Sequence, residues 1–266
     1  MANELQSLSK LFQNRIFRIP DYQRGYAWLE SQLVDFWDDL MNLHEGRSHY
    51  TGLLSLKAID HSEMKTDIWE HDKWLIKTGY EPFHVVDGQQ RLTTFSILMN
   101  EIVSFVKNLP ENQDMSADDV YLGDESLKEI TAKYILRKRP SHDRLPDHIT
   151  TYLFGYEADN PSAAYLKHMV FGEPNGGTIL ETYYTKNLEN AKRFFVKNLN
   201  ELFESDGIEG VEFLFCKLTQ YLKFNLHEIQ DDYDVFVAFE TMNNRGKKLT
   251  HLELLKNRLI YLTTTL

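Results

Sequence analysis

The residues best suited to chemistry lie at Asp87-Gly88-Gln89-Gln90-Arg91, between the apolar run Phe83-His84-Val85-Val86 and a longer apolar stretch beyond Thr94. A strand that turns straight into a helix presents the unpaired N–H groups and partial positive charge of the helix N-terminus, which suit an anion such as phosphate. Gly88 permits close backbone approach and an unusual dihedral angle. Arg91, one turn in, can fork onto phosphate oxygens. Asp87, at the carboxyl end of the strand, is placed to hold Mg²⁺ or to orient a water. The same residues read equally as a plain helix start, because Asp87-x-x-Gln90 is a capping box that needs no ligand. Against that, Gln89, Gln90, Arg91, Thr93 and Thr94 crowd between two apolar segments, where a cap uses one or two polar side chains.

Two further blocks carry cations among polar or aromatic residues. In Ile19-Pro20-Asp21-Tyr22-Gln23-Arg24-Gly25-Tyr26-Ala27-Trp28, Arg24 offers a second fork and Tyr22 or Tyr26 a stacking face for a base. Trp28 reads better as an anchor for the helix that follows. In Phe239-Glu240-Thr241-Met242-Asn243-Asn244-Arg245-Gly246, the Asn amides suit base edges or ribose, and Arg245 is a third cation. That block reads equally as a helix–turn–helix corner, with Gly246 as a left-handed cap and Thr250-x-x-Glu253 opening the last helix.

Other chemistries lack their residues. There is no Gly-x-x-x-x-Gly-Lys-Ser/Thr loop, no His-Glu-x-x-His, no metal-binding cysteine spacing and no Gly-x-Ser-x-Gly elbow. Gly172 to Gly177 reads as a turn. The lone Cys216 sits among Phe213, Leu214, Phe215 and Leu218 and reads as a small core residue, and His84 as a satisfied core histidine.

The elements that must position these blocks follow from periodicity. Arg15 to Pro20 reads as a strand, and Leu33, Phe36, Trp37, Leu40 and Met41 as the apolar face of a helix from Ser31. Gly52 to Ile59 and Phe83 to Val86 read as strands, with a further short one at Trp74-Leu75-Ile76 inside a polar loop. Phe95, Leu98, Met99, Ile102, Val103 and Val106 form a long helical stripe. Beyond Leu109 the segment Pro110 to Glu125 is acidic, and the pattern then turns mostly helical: Leu127 to Leu136, Ser162 to Phe171, Ile179 to Phe203 and Val211 to Leu222. Phe224 to Ile229 reads as a strand and Tyr233 to Met242 as a helix. The expectation is an α+β chain with an α/β core at 1–108, a mainly helical region at 109–230, and helices at 231–266 that return to the core.

The whole chain bounds the function. It has 266 residues, 42% hydrophobic and 26% charged, the make-up of a soluble globular protein. A net charge of −11 opposes wholesale coating of a polyanion, while leaving room for a local basic site. The clusters Arg137-Lys138-Arg139 and Lys192-Arg193 with Lys197 read as solvated faces. No run of about 18 apolar residues occurs, and Met1 to Lys10 carries no signal-like segment, so a cytoplasmic protein without a membrane partner is expected.

Taken in order, Ile19-Pro20-x-Tyr22-Gln23-Arg24-x-Tyr26-x-Trp28, Val86-Asp87-Gly88-Gln89-Gln90-Arg91-Leu92-Thr93-Thr94 and Phe239-x-x-x-Asn243-x-x-Gly246-x-x-Leu249 resemble the N-terminal domain of GmrSD-type, modification-dependent restriction enzymes and related phage-defence proteins. The resemblance implies a ParB/sulfiredoxin-like core that binds and hydrolyses nucleoside triphosphates with Mg²⁺, coupled to control of DNA cleavage. It would make Asp87, Gln89 and Arg91 catalytic, with Asp87 also the metal ligand. Tyr22, Gln23, Arg24, Gly88, Gln90, Asn243, Arg245 and Gly246 would bind the nucleotide. The partners implied are nucleoside triphosphate, modified or foreign DNA, a nuclease domain or subunit outside this chain, and a second copy in a homo-oligomer. Such proteins usually continue into a His-Asn-His nuclease domain. This chain ends at Leu266 without that motif, so a fragment or a separate effector is expected, and nuclease activity here is not. The rival reading is a non-hydrolysing module that senses modified DNA and controls a separate nuclease.

Overall fold

A buried apolar strand at Phe83 needs neighbours on both edges, and it has them. In chain order the strands are Leu5–Ser7 (β1), Arg15–Ile19 (β2), His49–Ala58 (β3), Glu81–Asp87 (β4), Tyr121–Leu122 (β5), Glu125–Ser126 (β6), Leu136–Lys138 (β7), Thr150–Tyr152 (β8), Phe154–Tyr156 (β9) and Leu222–Ile229 (β10). The helices are Leu8–Leu11 (α1), Glu30–Met41 (α2), Lys73–Ile76 (α3), Gln89–Lys107 (α4), Leu127–Tyr134 (α5), Pro161–Tyr165 (α6) and Tyr183–Cys216 (α7). The computed structural model describes residues 5–59, 71–139, 149–157, 160–174, 179–229 and 255. The Asn243-Arg245-Gly246 block, the helix expected from Tyr233 and the cap at Thr250 lie outside the described residues.

The fold is α+β. One mixed sheet runs in the order β1-β10-β3-β4-β2-β9. β4 pairs parallel to β2 and antiparallel to β3, and β2 pairs parallel to β9. Because β2, β4 and β9 point the same way, their carboxyl ends (Ile19, Asp87 and Tyr156) open on one edge of the sheet. That edge is where ligands of open α/β sheets usually sit. β9 and β10, both beyond residue 109, are strands of this sheet.

The expected stripe on α4 is buried at Phe95, Leu98, Met99, Ile102 and Val106. Its other sides are buried too, at Thr93, Ser96, Ile97, Asn100 and Glu101, so α4 is a central helix rather than a surface one. It packs on the sheet near its start and against α5 and α7 further along, with Phe105 and Phe203 meeting edge to face at 5.4 Å. The two long helices expected from Ile179 and Val211 are one element, α7, bent at Gly207, whose φ of 66° and ψ of −158° leave helical space. It gives way to β10 at Leu222, where a helical end was expected. The short strand expected at Trp74-Leu75-Ile76 is instead the helical turn α3, with Leu75 and Ile76 buried. Three apolar residues do not distinguish the two periods. Lys192 pairs with Glu101 of α4, and Arg193 and Lys197 pair with Glu189 and Glu201 along α7, which removes them as a basic patch.

Candidate functional site

The junction at Asp87 differs from a capped helix start. The N-cap of α4 is Gly88, in the left-handed region at φ 91°, and no side chain among the described residues caps the helix. The expected capping box between Asp87 and Gln90 is absent, because Gly88 rather than Asp87 occupies the cap position. Glycine is required there twice over. Its φ is costly for other residues, and an added Cβ would lie 2.9 Å from Leu54 Cδ1 and 3.1 Å from the Leu53 carbonyl. The first turn of α4 is thereby pressed onto β3. Its leading N–H groups have no acceptors within the helix and no side-chain cap among the described residues.

Gln90 is used elsewhere. Its Oε1 accepts from the Ala27 N–H at 2.7 Å, and its Nε2 donates to the Gly25 carbonyl at 3.2 Å. Gln23, with no exposed surface, donates from Nε2 to the Val85 and Val86 carbonyls at 2.6 and 2.9 Å. The Tyr26 hydroxyl lies 2.6 Å from that of Thr94, and Asn187 Nδ2 donates to the Tyr26 carbonyl at 3.1 Å. Gly25 sits where a Cβ would fall 2.5 Å from Ser162 Oγ and 2.7 Å from Tyr184 Cβ. The loop from Pro20 to Trp28 is thus strapped to the end of β4 and to α4, α6 and α7. Tyr26 is fully buried and offers no stacking face, which corrects that expectation. Trp28 anchors the loop as expected, with its ring 6.1 Å from that of Phe36. Thr93 and Thr94 turn back onto the Gln89 and Gln90 carbonyls at 2.8 and 2.9 Å.

Asp87, Gln89 and Arg91 are only partly satisfied. Burial raises the Asp87 carboxyl above its ordinary range, and the Arg91 charge and the Gly88 N–H offset this only in part. Arg91 donates from Nη2 to the Leu53 carbonyl, and its guanidinium lies flat against Gly52. An added Cβ at Gly52 would fall 2.7 Å from Arg91 Nη1, and Gly52 itself holds φ 128°. Arg91 Nε, Gln89 Oε1, Gln23 Oε1 and Thr51 Oγ1 are buried with no hydrogen-bond partner among the described residues. All four belong to segments that meet at this junction. Buried polar atoms are almost always paired, so such a group marks the place where a polar ligand or water belongs. Tyr22 and Arg24 are half-buried on the loop, with Arg24 close enough to Tyr156 for its charge to be felt there.

Several residues escaped the sequence reading. Gly52 was only a strand residue, although an interior strand glycine is itself a sign of close approach. Glu157 holds the far end of the loop: its Oε2 accepts from the Asp21 N–H at 3.0 Å, and its Oε1 lies 2.9 Å from His84 Nε2. His84 is therefore a satisfied histidine, as read. Arg18 and Asp72 form a buried pair at 2.6 Å. Nothing in their local sequence marks them, since each partner lies more than 50 residues away.

Asp87 is a hard oxygen donor, desolvated and only partly neutralised, a donor type that suits a divalent cation such as Mg²⁺. Among the described residues, no group of three or more His, Cys, Asp or Glu side chains could enclose a metal ion. No described helix is long and apolar enough to cross a membrane.

Comparison with protein families finds one whose description is GmrSD restriction endonuclease, N-terminal domain, matching residues 8–260. Comparison with curated proteins finds no match.

Proposed function

Since this chain belongs to the family of GmrSD restriction endonuclease N-terminal domains, a restriction and phage-defence family, we propose that it binds and hydrolyses nucleoside triphosphates to regulate DNA restriction. The observation that carries this reading is the set of buried polar atoms without a partner among the described residues, around a helix N-terminus that none of those residues caps, beside Arg91 and Asp87. Backbone N–H groups at the start of α4 and the Arg91 fork bind phosphate oxygens and stabilise the charge that develops in phosphoryl transfer. Asp87 orients the attacking water, and its raised proton affinity makes it a better acceptor than a free carboxylate. Mg²⁺, when bound, neutralises phosphate charge, and Asp87 would hold it. Gln23 and Gln90 serve by fixing the loop that carries Tyr22 and Arg24 over the site. DNA and a nuclease domain or subunit are the partners of the regulated step.

Phosphate release from each of the four ribonucleotides, with Mg²⁺ and with or without DNA, tests the proposal. Turnover is expected, with Asp87→Ala and Arg91→Ala each lowering it by about a hundredfold, the usual effect of removing one transition-state contact. Absence of turnover by the folded protein under all these conditions, or full activity in Asp87→Ala, would sink it. Stabilisation by DNA but not by Mg²⁺-nucleotide would instead favour the non-hydrolysing sensor.

A further inference from the structure

We infer, with the proposed hydrolysis as premise, that Gln89 is a catalytic residue whose amide oxygen holds the attacking water. Gln89 is the first residue of α4, next to the glycine N-cap, and only 6% of it is exposed. Its Oε1 is buried with no hydrogen-bond partner among the described residues. Leaving a buried acceptor unpaired is costly, so a side chain kept in that condition answers to something other than the fold.

The chemistry of the unpaired atoms selects the water. Phosphate oxygens accept hydrogen bonds, so a bound triphosphate answers the N–H groups at the start of α4 and Arg91 Nε, which are donors. It cannot answer an amide oxygen. Gln23 supplies such an oxygen in a fixed orientation. Its Nε2 donates to the Val85 and Val86 carbonyls, next to Asp87 in the chain, which settles which end of the amide is the acceptor. That Oε1, on a side chain with no exposed surface, also lacks a partner among the described residues. Gln23 Oε1, Gln89 Oε1 and the Asp87 carboxylate are therefore all acceptors at one turn, and they call for a donor with more than one hydrogen. Water donates two hydrogen bonds and keeps a lone pair for phosphorus. Because Gln89 lies on the turn whose N–H groups take phosphate, the donor it meets is the nucleophile rather than a ribose or a base. In the step, the water oxygen bonds to the terminal phosphorus while the bond from phosphorus to the bridging oxygen breaks. The nucleoside diphosphate leaves with that electron pair, Asp87 takes one proton, and Gln89 accepts from the hydrogen that stays.

The test separates binding from turnover in the full chain, using the nucleotide that the wild type hydrolyses and its β,γ-imido analogue with Mg²⁺. Gln89→Met, similar in length but without a strong acceptor, should lower kcat at least about a hundredfold. Its affinity for the analogue, from calorimetric titration, should stay within about twofold of wild type, because a contact to the water adds nothing to nucleotide binding. Its melting temperature should equal or exceed that of the wild type, since an unpaired buried oxygen is removed. Gln89→Glu keeps an acceptor and should retain at least about a tenth of the wild-type kcat. The role of Gln89 alone is overturned if the wild type turns over and Gln89→Met matches it, or if Gln89→Met melts well below the wild type, which marks a structural side chain. It is overturned too if Gln89→Met weakens the analogue as much as it slows turnover, which marks a phosphate contact. A raised Mg²⁺ requirement in Gln89→Met, or a Gln89→Glu slower than Gln89→Met, also overturns it, marking a metal contact or an N–H donor. A wild type that binds the analogue but turns over no nucleotide sinks the hydrolysis reading, and this role with it.

Discussion

Glu157 and Asp87 are both partly buried carboxylates at the carboxyl ends of strands in one sheet, yet their surroundings push them in opposite directions. Burial opposes ionisation of Glu157, but His84, the Asp21 N–H and the Arg18 charge together outweigh it and hold its carboxyl below the ordinary range. At Asp87 burial prevails, because Arg91 and one backbone N–H do not compensate. Glu157 belongs to the half of the site whose polar groups are satisfied by the protein. That half, with Gln23, Tyr26 and Gln90, straps the loop. Asp87 belongs to the half left undersatisfied, with Gln89 and Arg91. The difference teaches that one cluster of polar residues divides by partner: groups answered from within hold the fold, and groups left unanswered are available to a ligand.

Substitutions can break or sharpen this division. The largest loss of stability is expected for Gln23→Ala, which strands the Val85 and Val86 carbonyls and opens a cavity. About 3 kcal/mol is expected in urea unfolding, and a cost below about 1 kcal/mol would mean that the strap is not structural. Gly52→Ala follows, at about 2 kcal/mol, because its φ of 128° is strained for alanine and the new Cβ strikes Arg91. Adding Arg91→Ala should recover about 1 kcal/mol of that loss, and additive costs would separate the two residues.

Glu157→Gln tests the paired carboxylate by its pH dependence. A lowered folded pKa contributes stability that is present above the unfolded carboxyl range and lost as pH falls through the folded value. The variant should therefore cost about 1–2 kcal/mol at pH 7 and nothing once the pH is below both values. Tyr26→Phe removes only the contact with Thr94, and about 1 kcal/mol is expected from melting curves. Asp87→Asn should have the smallest effect and the opposite sign. A raised folded pKa withdraws stability as pH rises through it, so the variant should gain up to about 1 kcal/mol on the wild type above that range, and match it below the unfolded carboxyl range. A loss of stability at pH 7 would show that Asp87 is a structural group after all.

Much of the frame was legible in the chain. The strands at Arg15, Gly52, Phe83 and Phe224 and the helices from Ser31 and beyond Asp87 stand within a few residues of where periodicity placed them. The kind of element at Trp74 and the joining of the helices across Gly207 were not legible, because a short apolar run and a single glycine each permit two local outcomes.

The sequence by itself determined that a strand must turn through Gly88 into a helix, and that polar side chains would crowd that turn. These are local matters of backbone conformation and spacing, contained within about ten residues. Only the tertiary structure decided which of those side chains are spent. Gln90 is used in full by the loop at Gly25 and Ala27, whereas Arg91 gives one donor to the Leu53 carbonyl and keeps its Nε unanswered among the described residues. Glu157 meets His84 across the sheet, while Asp87 is desolvated with too few partners. A side chain's charge state and availability depend on neighbours that lie far away along the chain, and only folding brings those neighbours together.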